Sequence, residues 1–231
     1  MGETPSKPEL LRSLGKLARG LSALFWGLPL TLIVYMQTAE ANWFTSLGFY
    51  SILLPPLPTL LDFFGIMQMN QFQKQERIWT RSLDISGLLL FTNLGLSPFL
   101  YWWHRVPFVP LFSAAVALLA LSSLAFLFQF NYVLQRLAAM LPDQTLRQET
   151  RVFGAFNRSM LVAIPILVVV FFLLNQIKAP PRILEIILRA MEPPLGLWFL
   201  IFLLLIPLAM TMALIWKMKE TILAGVFNAE E

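Results

Sequence analysis

Six long apolar stretches, separated by short polar gaps, dominate the pattern of this chain. They cover residues 20–38, 45–68, 85–103, 107–130, 159–177 and 195–216. Each stretch has roughly the 20 residues that an α-helix needs to cross a hydrocarbon core. The pattern predicts an all-α fold: a polytopic membrane helix bundle of about six transmembrane helices, with short amphipathic interfacial helices between them.

The composition agrees with a membrane protein rather than a water-soluble domain. The chain has 231 residues, of which 58% are hydrophobic and 13% are charged, and its mean hydropathy is +0.70. Water-soluble domains carry about 25% charged residues. The longest gap, residues 131–158, is too short to fold alone. We predict a cytoplasmic N-terminal segment at 1–19 with an amphipathic helix, a six-span transmembrane domain at 20–216 and a cytoplasmic tail at 217–231.

The basic residues are concentrated in alternate gaps and at the two ends of the chain. This set contains 13 of the 17 lysines and arginines: Lys7, Arg12, Lys16, Arg19, Lys74, Arg77, Arg81, Arg136, Arg147, Arg151, Arg158, Lys217 and Lys219. Short cytoplasmic loops are enriched in lysine and arginine. We therefore expect a multi-pass protein of the plasma (inner) membrane with both termini in the cytoplasm.

The start of the chain leaves one alternative open. Residues 39–41 read Ala-Glu-Ala, a small-x-small pattern that a signal peptidase could cleave after Ala41. The polar region before the first apolar stretch is long, reaching Arg19, and the apolar stretch is long as well. We expect an uncleaved first span.

The second stretch combines three prolines with an acidic residue. Pro55, Pro56 and Pro58 predict a kinked or broken helix, because proline removes a hydrogen bond and clashes with the preceding turn. The break is either a packing kink or a discontinuous helix that lines a cavity. Asp62 is the only acidic residue clearly inside a span, and such residues are costly to bury. It is either a functional site, a residue that reaches the inner interface, or the acceptor of a structural hydrogen bond from a neighbouring helix.

The third stretch adds polar residues at the middle of a span. Thr92 and Asn93 lie there, and Asn93 would reach Asp62 if the second and third spans are neighbours. We therefore name Asp62, Asn93 and Thr92 as candidates for a substrate or proton site. Proline also lies in the first, third, fifth and sixth stretches, at Pro29, Pro98, Pro165 and Pro207, so several spans should be kinked.

The fourth stretch is rich in small residues, among them Ser113, Ala114, Ala117 and Ala120. Small residues allow transmembrane helices to approach closely. We expect this helix at the centre of the bundle.

The gap at 178–194 predicts a short amphipathic helix between two proline pairs. Its charged residues, Arg182, Glu185, Arg189 and Glu192, recur at helical spacing and form one stripe, with apolar residues around it. We expect this helix to lie flat at the outer membrane face, either as a plain connector or as a gate or lipid-sensing element.

The chain lacks the residues that most catalytic and metal sites need. It has no cysteine and only one histidine, His104, and it contains no glycine-rich phosphate loop. We therefore expect no cofactor, no metal site and no enzyme, with a lipid-modifying enzyme built on Asp62 as the alternative. The pI of about 9.6 is explained by cytoplasmic loops that face an anionic leaflet, so we expect no nucleic-acid partner.

The best hypothesis for the function is a transport or permease-type membrane component. Six spans, both termini inside and an amphipathic N-terminal helix form a layout that resembles the permease subunits of ATP-driven exporters, in topology alone and without a shared motif. The resemblance implies a cytoplasmic ATPase partner. The alternative is a non-catalytic membrane scaffold or assembly subunit. Besides the lipid bilayer, a protein partner would contact 70–82, 132–158 or the C-terminal tail.

Two of these polar segments share a pattern. Residues 70–76 and 143–149 both read (Asn/Asp)-Gln-x-x-(Lys/Arg)-Gln-Glu. The match leaves open a repeat of helical hairpins along the chain.

Overall fold

The fold is all-α, as predicted. The computed structural model describes residues 7–40, 45–73, 76–106, 108–176 and 195–227. Its elements are α1 (Lys7–Glu40), a 3₁₀ segment (Thr45–Leu53), α2 (Pro56–Met69), α3 (Arg77–Leu96), α4 (Phe99–Arg105), α5 (Pro110–Met140), α6 (Gln144–Leu174) and α7 (Leu195–Phe227). The interfacial helix predicted within 178–194 and the cleavage pattern at Ala41 lie outside the described residues.

Within the part of the chain that the structure describes, six helical stretches are long and apolar enough to cross a membrane, in agreement with the sequence pattern. They are Arg12–Ala39, Tyr50–Met69, Arg77–Trp103, Pro110–Met140, Gln144–Leu174 and Ile201–Ala224. Their outward faces are apolar too: on α2 the exposed residues Leu57, Leu60, Phe64 and Met67 form one stripe. A surface of this kind in water would be an aggregation-prone patch. The chain is therefore a multi-pass membrane protein whose outer surface suits lipid.

The six long helices form a closed ring. Each of α1, α2, α3, α5, α6 and α7 contacts the next in chain order, α7 contacts α1, and the short α4 packs on α1 and α5. Consecutive helices run in opposite directions, so the start of α1 and the end of α7 lie at the same end of the bundle. Lys16 of α1 donates to the Gln71 carboxamide there, and Lys217 of α7 pairs with Glu149 of α6. We call this end of the bundle, which carries most of the cations, the basic end.

Large side chains fill the half of the bundle near the basic end. Leu17, Leu21 and Leu24 recur at helical spacing and are fully buried on α1. The other helices add bulky residues to the same half, and we call this set the packed core: Met69, Trp79, Leu83, Phe130, Leu134, Leu137, Leu146 and Ile215. The indole N–H of Trp79 donates to the carbonyl of Phe72 at 2.9 Å, which fixes the turn between α2 and α3. This half of the ring is therefore closed.

The second span is broken rather than gently bent. The 3₁₀ segment contains Gly48 at φ 53° and ψ −129°, and α2 begins only at Pro56, with Pro55 before it. Proline is favoured at the first position of a helix because its missing N–H has no partner there. The 14 residues of α2 extend about 21 Å, less than the roughly 30 Å of a hydrocarbon core.

Proline acts differently in the other spans. The third span is interrupted for one turn at Ser97 and Pro98, after which α4 begins. Pro29, Pro165 and Pro207 lie inside α1, α6 and α7, which continue on both sides of them.

The expectation that small residues place the fourth span at the centre was only partly met. α5 contacts α3, α4, α6 and α7. However, Ala114 and Ala117 are exposed, and most of the buried residues of α5 are bulky, such as Phe126, Phe130 and Leu134, with Ser122 and Ala138 as the small exceptions. The reason is their position along the helix: the small residues lie in the half of the bundle that large side chains do not fill.

The turn between α5 and α6 contains the N-terminal cap of α6. Pro142 lies in the break, and the side chain of Asp143 caps α6 by accepting from the backbone N–H groups of Thr145 and Leu146 at 2.9 Å and 3.1 Å. The side-chain hydrogen bond from Thr145 and the backbone hydrogen bond from Leu146 lower the pKa of Asp143, and Lys217 acts in the same direction. The ionised form is the one that the cap stabilises.

We predict that Asp143→Ala lowers the melting temperature in detergent at pH 7. Asp143→Asn keeps a capping oxygen, so its melting temperature should fall much less. Because folding lowers the pKa of Asp143, its ionic contribution is present above the ordinary pKa of an aspartate, about 4, and is lost as pH falls through the folded-state value. The difference between wild type and Asp143→Ala should therefore narrow in acid. A difference that stays constant down to pH 3 would show that the charge is irrelevant.

Candidate functional site

A cavity occupies the half of the bundle opposite the packed core. Its volume is about 330 Å³, and side chains from all seven helices line it. Most of these side chains are apolar. The polar residues of the lining are Thr31, Tyr35, Thr59, Asp62, Asn93 and Ser123. Among the described residues, no lysine, arginine or histidine lines it.

Asp62 is the lining residue of α2 that lies closest to the packed core. It is only 1% exposed, so it does not reach the membrane interface. The hydroxyl of Thr31 on α1 donates to Oδ2 of Asp62 at 2.8 Å, which is the hydrogen bond from a neighbouring helix that the sequence left open. Oδ1 has no hydrogen-bond partner among the described residues. A buried acceptor without a donor is costly, and two other buried oxygens share this property: Oγ1 of Thr150 and Oδ1 of Asn157.

Glycines on the two facing helices make room for this carboxyl group. A Cβ atom on Gly27 of α1 would lie 2.1 Å from Oδ1 of Asp62. About two helical turns earlier on α1, a Cβ on Gly20 would lie 2.7 Å from the carbonyl oxygen of Gly65 on α2. We call this close approach the α1–α2 crossing. Glycine at such positions lets transmembrane backbones come close together, and here it brings Asp62 against α1.

A second polar contact joins α1 and α2 one turn further along. The hydroxyls of Tyr35 and Thr59 lie 2.7 Å apart, and the Thr59 hydroxyl also donates to the carbonyl of Pro55 at 3.1 Å. Sequence reasoning missed Thr31 and Tyr35. The signal was present: they recur at helical spacing with Thr38, as a polar stripe inside the first apolar stretch.

The other predicted site residues are placed differently. Asn93 lines the cavity, but its Oδ1 accepts from the Ser122 hydroxyl of α5, and the described residues contain no bond between Asn93 and Asp62. Thr92 does not line the cavity. Its hydroxyl donates to the carbonyl of Leu88 on its own helix at 3.0 Å. Arg182, Glu185, Arg189 and Glu192 lie outside the described residues. The structure therefore brings Asp62 and Asn93 to one cavity and leaves Thr92 outside it.

A second buried polar cluster joins α5, α6 and α7 within the packed half. The amide of Asn157 donates to Oδ1 of Asn131 at 2.9 Å, to the hydroxyl of Thr211 at 2.9 Å and to the carbonyl of Pro207 at 3.1 Å. The Asn131 amide in turn donates to Thr211 at 2.9 Å. All three side chains are fully buried, and none lines the cavity. The cluster therefore holds three helices together.

The sequence interpretation missed this cluster because of its span boundaries. It ended the fourth span at 130 and began the fifth at 159, so Asn131 and Asn157 were assigned to a cytoplasmic connector. The helices in fact continue to Met140 and start at Gln144. The sequence did contain an indication of the cluster, because Asn131 and Asn157 lie at the two ends of the gap, next to the apolar stretches.

The polar groups of the cavity are few and lie within apolar walls. They are one carboxyl group, hydroxyls and a carboxamide, and the described residues contain no group of three or more His, Asp or Glu that could hold a metal ion. Comparisons with protein-family models, with curated proteins and with solved structures found no match to this chain.

We predict that Gly27→Ala destabilises the protein, because the added methyl group overlaps Oδ1 of Asp62 and forces the helices or the carboxyl group to move. Overpacking of this kind costs about 1–3 kcal/mol. Gly15→Ala is the matched control on the same helix, since no atom lies within 4 Å of its added Cβ. It should be neutral or slightly stabilising. Thermal unfolding in detergent measures both, and equal melting temperatures for the two variants would contradict the close contact.

We predict that Asn157→Leu destabilises the bundle by about 1–2 kcal/mol, because it leaves Asn131 and Thr211 with fewer partners in the packed half. Asn175→Leu makes the same chemical change at an exposed position after the last turn of α6 and should leave the melting temperature unchanged. If both variants melt alike, the cluster contributes no stability.

Proposed function

We propose that this protein is a transport-type membrane component, a permease or the membrane subunit of one, that binds its solute in the cavity beside Asp62. The observation that carries the proposal is a buried carboxyl group with an unpartnered oxygen, next to a cavity and on a broken span. Ionisable residues inside a membrane are functional candidates by default, and discontinuous helices near the midplane are typical of transporter sites.

The distribution of packing supports the same proposal. The cavity lies in one half of the bundle, and the packed core, with Met69, Phe130 and Leu134, closes the other half. A cavity closed toward one end is the arrangement expected of one state of an alternating-access transporter.

The cation distribution supports an orientation. With 13 of 17 lysines and arginines at the basic end or in its gaps, we propose that this end faces the cytoplasm of a plasma (inner) membrane. Both termini are then cytoplasmic, and the cavity lies in the outer half of the bilayer.

A non-catalytic scaffold is the second candidate. The observation that favours it is the extent of buried polar contact between helices: Thr31 with Asp62, Ser122 with Asn93, and the cluster around Asn157. Such contacts hold a static bundle together equally well.

The partner segment proposed at 70–82 offers a limited exposed surface. Within 70–82, Phe72 and Trp79 are buried, so a partner would contact Gln71, Arg77 and Ile78. Whether that partner is an ATPase stays a prediction.

The absence of natural cysteines allows a direct test of alternating access. Single-cysteine variants are reconstituted and treated with a membrane-impermeant thiol reagent from either side. For a permease, we expect Ser123→Cys, which lines the cavity, to react from the outer side. We expect Ala138→Cys, which is fully buried in the packed half, to react slowly from the basic end as that half opens.

The controls separate a transporter from a scaffold. Ala125→Cys is exposed on the membrane-facing part of α5 and should react from neither side. Asp62→Asn should change the ratio of the thiol reaction rates measured at positions 123 and 138. Asp84→Asn, which changes an exposed residue of α3, should leave that ratio unchanged. If Ala138→Cys stays unreactive while Ser123→Cys reacts completely, the bundle is rigid and the scaffold is the better function.

A further inference from the structure

We propose that the cavity binds a small lipophilic amine, a molecule with one cationic N–H group and an apolar body. This inference rests on the proposed solute site and names its substrate class. It follows from the charges, the unpartnered oxygen and the walls of the cavity.

The charge of the lining favours a cation over an anion. Among the described residues, Asp62 is the only carboxyl group in the lining, and no lysine, arginine or histidine lines the cavity. The described cation at the cavity end of the bundle, Arg105, is engaged elsewhere: it stacks over the Tyr101 ring at 3.7 Å and donates to the Tyr101 carbonyl at 3.4 Å. An anionic solute would therefore be buried without a counter-charge, which is costly. A cationic solute would supply the counter-charge that Asp62 lacks.

The carboxyl group has the free capacity to accept such a donor. Thr31 occupies Oδ2, and Oδ1 has no partner among the described residues. Oδ1 is buried against Gly27, so a solute donor engages it only when the carboxyl group turns partway out of that contact, a movement that the broad last torsion of aspartate allows. Hydrogen bonds between a charged donor and a carboxylate are about twice as strong as neutral ones.

The walls of the cavity define the rest of the solute. They are mainly aliphatic, with rings from Tyr35, Trp103 and Phe126. Aromatic faces attract a cation as well as an apolar body. The volume of about 330 Å³ is near the lower limit of ligand pockets, roughly 300–1,000 Å³, so the solute is small.

The test uses three probes with one carbon skeleton and different charge: 4-phenylbutylamine, 4-phenylbutanol and 4-phenylbutyrate. Binding to the full chain is measured by calorimetry in nanodiscs of zwitterionic lipid, with empty nanodiscs subtracted, at pH 7, where the amine is protonated. We expect the amine to bind at least tenfold more tightly than the carboxylate, with the alcohol between them. Asp62→Asn should remove this preference and leave the affinity for the alcohol unchanged. Asp84→Asn should behave as wild type.

Three results would overturn the proposal: equal or tighter binding of the carboxylate, an amine preference that persists in Asp62→Asn, or no binding of any probe. If Asp62→Asn does not fold, Ser123→Leu takes its place, because it adds volume to the lining of the same cavity. It should weaken binding of the amine and the alcohol by about tenfold each, and unchanged affinities would locate the amine elsewhere and refute the proposal.

The two proposals fail separately. Alternating thiol reactivity without amine binding would leave the transport function standing and refute this substrate class. Amine binding with a fixed reactivity pattern would support the binding site and refute transport.

Discussion

The close approach of α1 and α2 is the constraint on which the rest of this bundle depends. Gly20 and Gly65 allow the two backbones to touch, and Gly27 leaves the space that the Asp62 carboxyl group occupies. A membrane offers no water to solvate a buried acid, so its position must be determined by protein contacts. The α1–α2 crossing and the Thr31 hydroxyl together provide them.

The ring of helices divides into two halves with different physical character. Near the basic end, bulky side chains such as Trp79 and Phe130 fill the interior, and the cluster around Asn157 ties α5, α6 and α7 together. In the other half, the helices surround a cavity that Asp62 lines. Buried polar residues therefore have two roles here: those of the cluster join helices, and Asp62 also borders open space.

The sequence predicted much of this architecture because its signals are local. The count of six spans follows from apolar length, and the break before α2 follows from adjacent prolines, which prevent a helix whatever surrounds them. Asp62 is a candidate from the sequence alone because an acidic residue inside an apolar stretch is costly to bury, and the structure buries it. By contrast, Thr92 was grouped with Asn93 because the two are adjacent in sequence, although neighbouring positions on a helix face different directions.

The amino-acid sequence by itself therefore determined the all-α class, the six spans, the interrupted helix and the place of Asp62 inside an apolar stretch. Only the tertiary structure decided that Thr31 and Gly27 meet Asp62, that Asn93 bonds to Ser122, and that Asn131, Asn157 and Thr211 converge. The reason is physical. Length, hydropathy and proline act through the nearby backbone, whereas these contacts depend on the rotation and pairing of helices that are far apart in the chain.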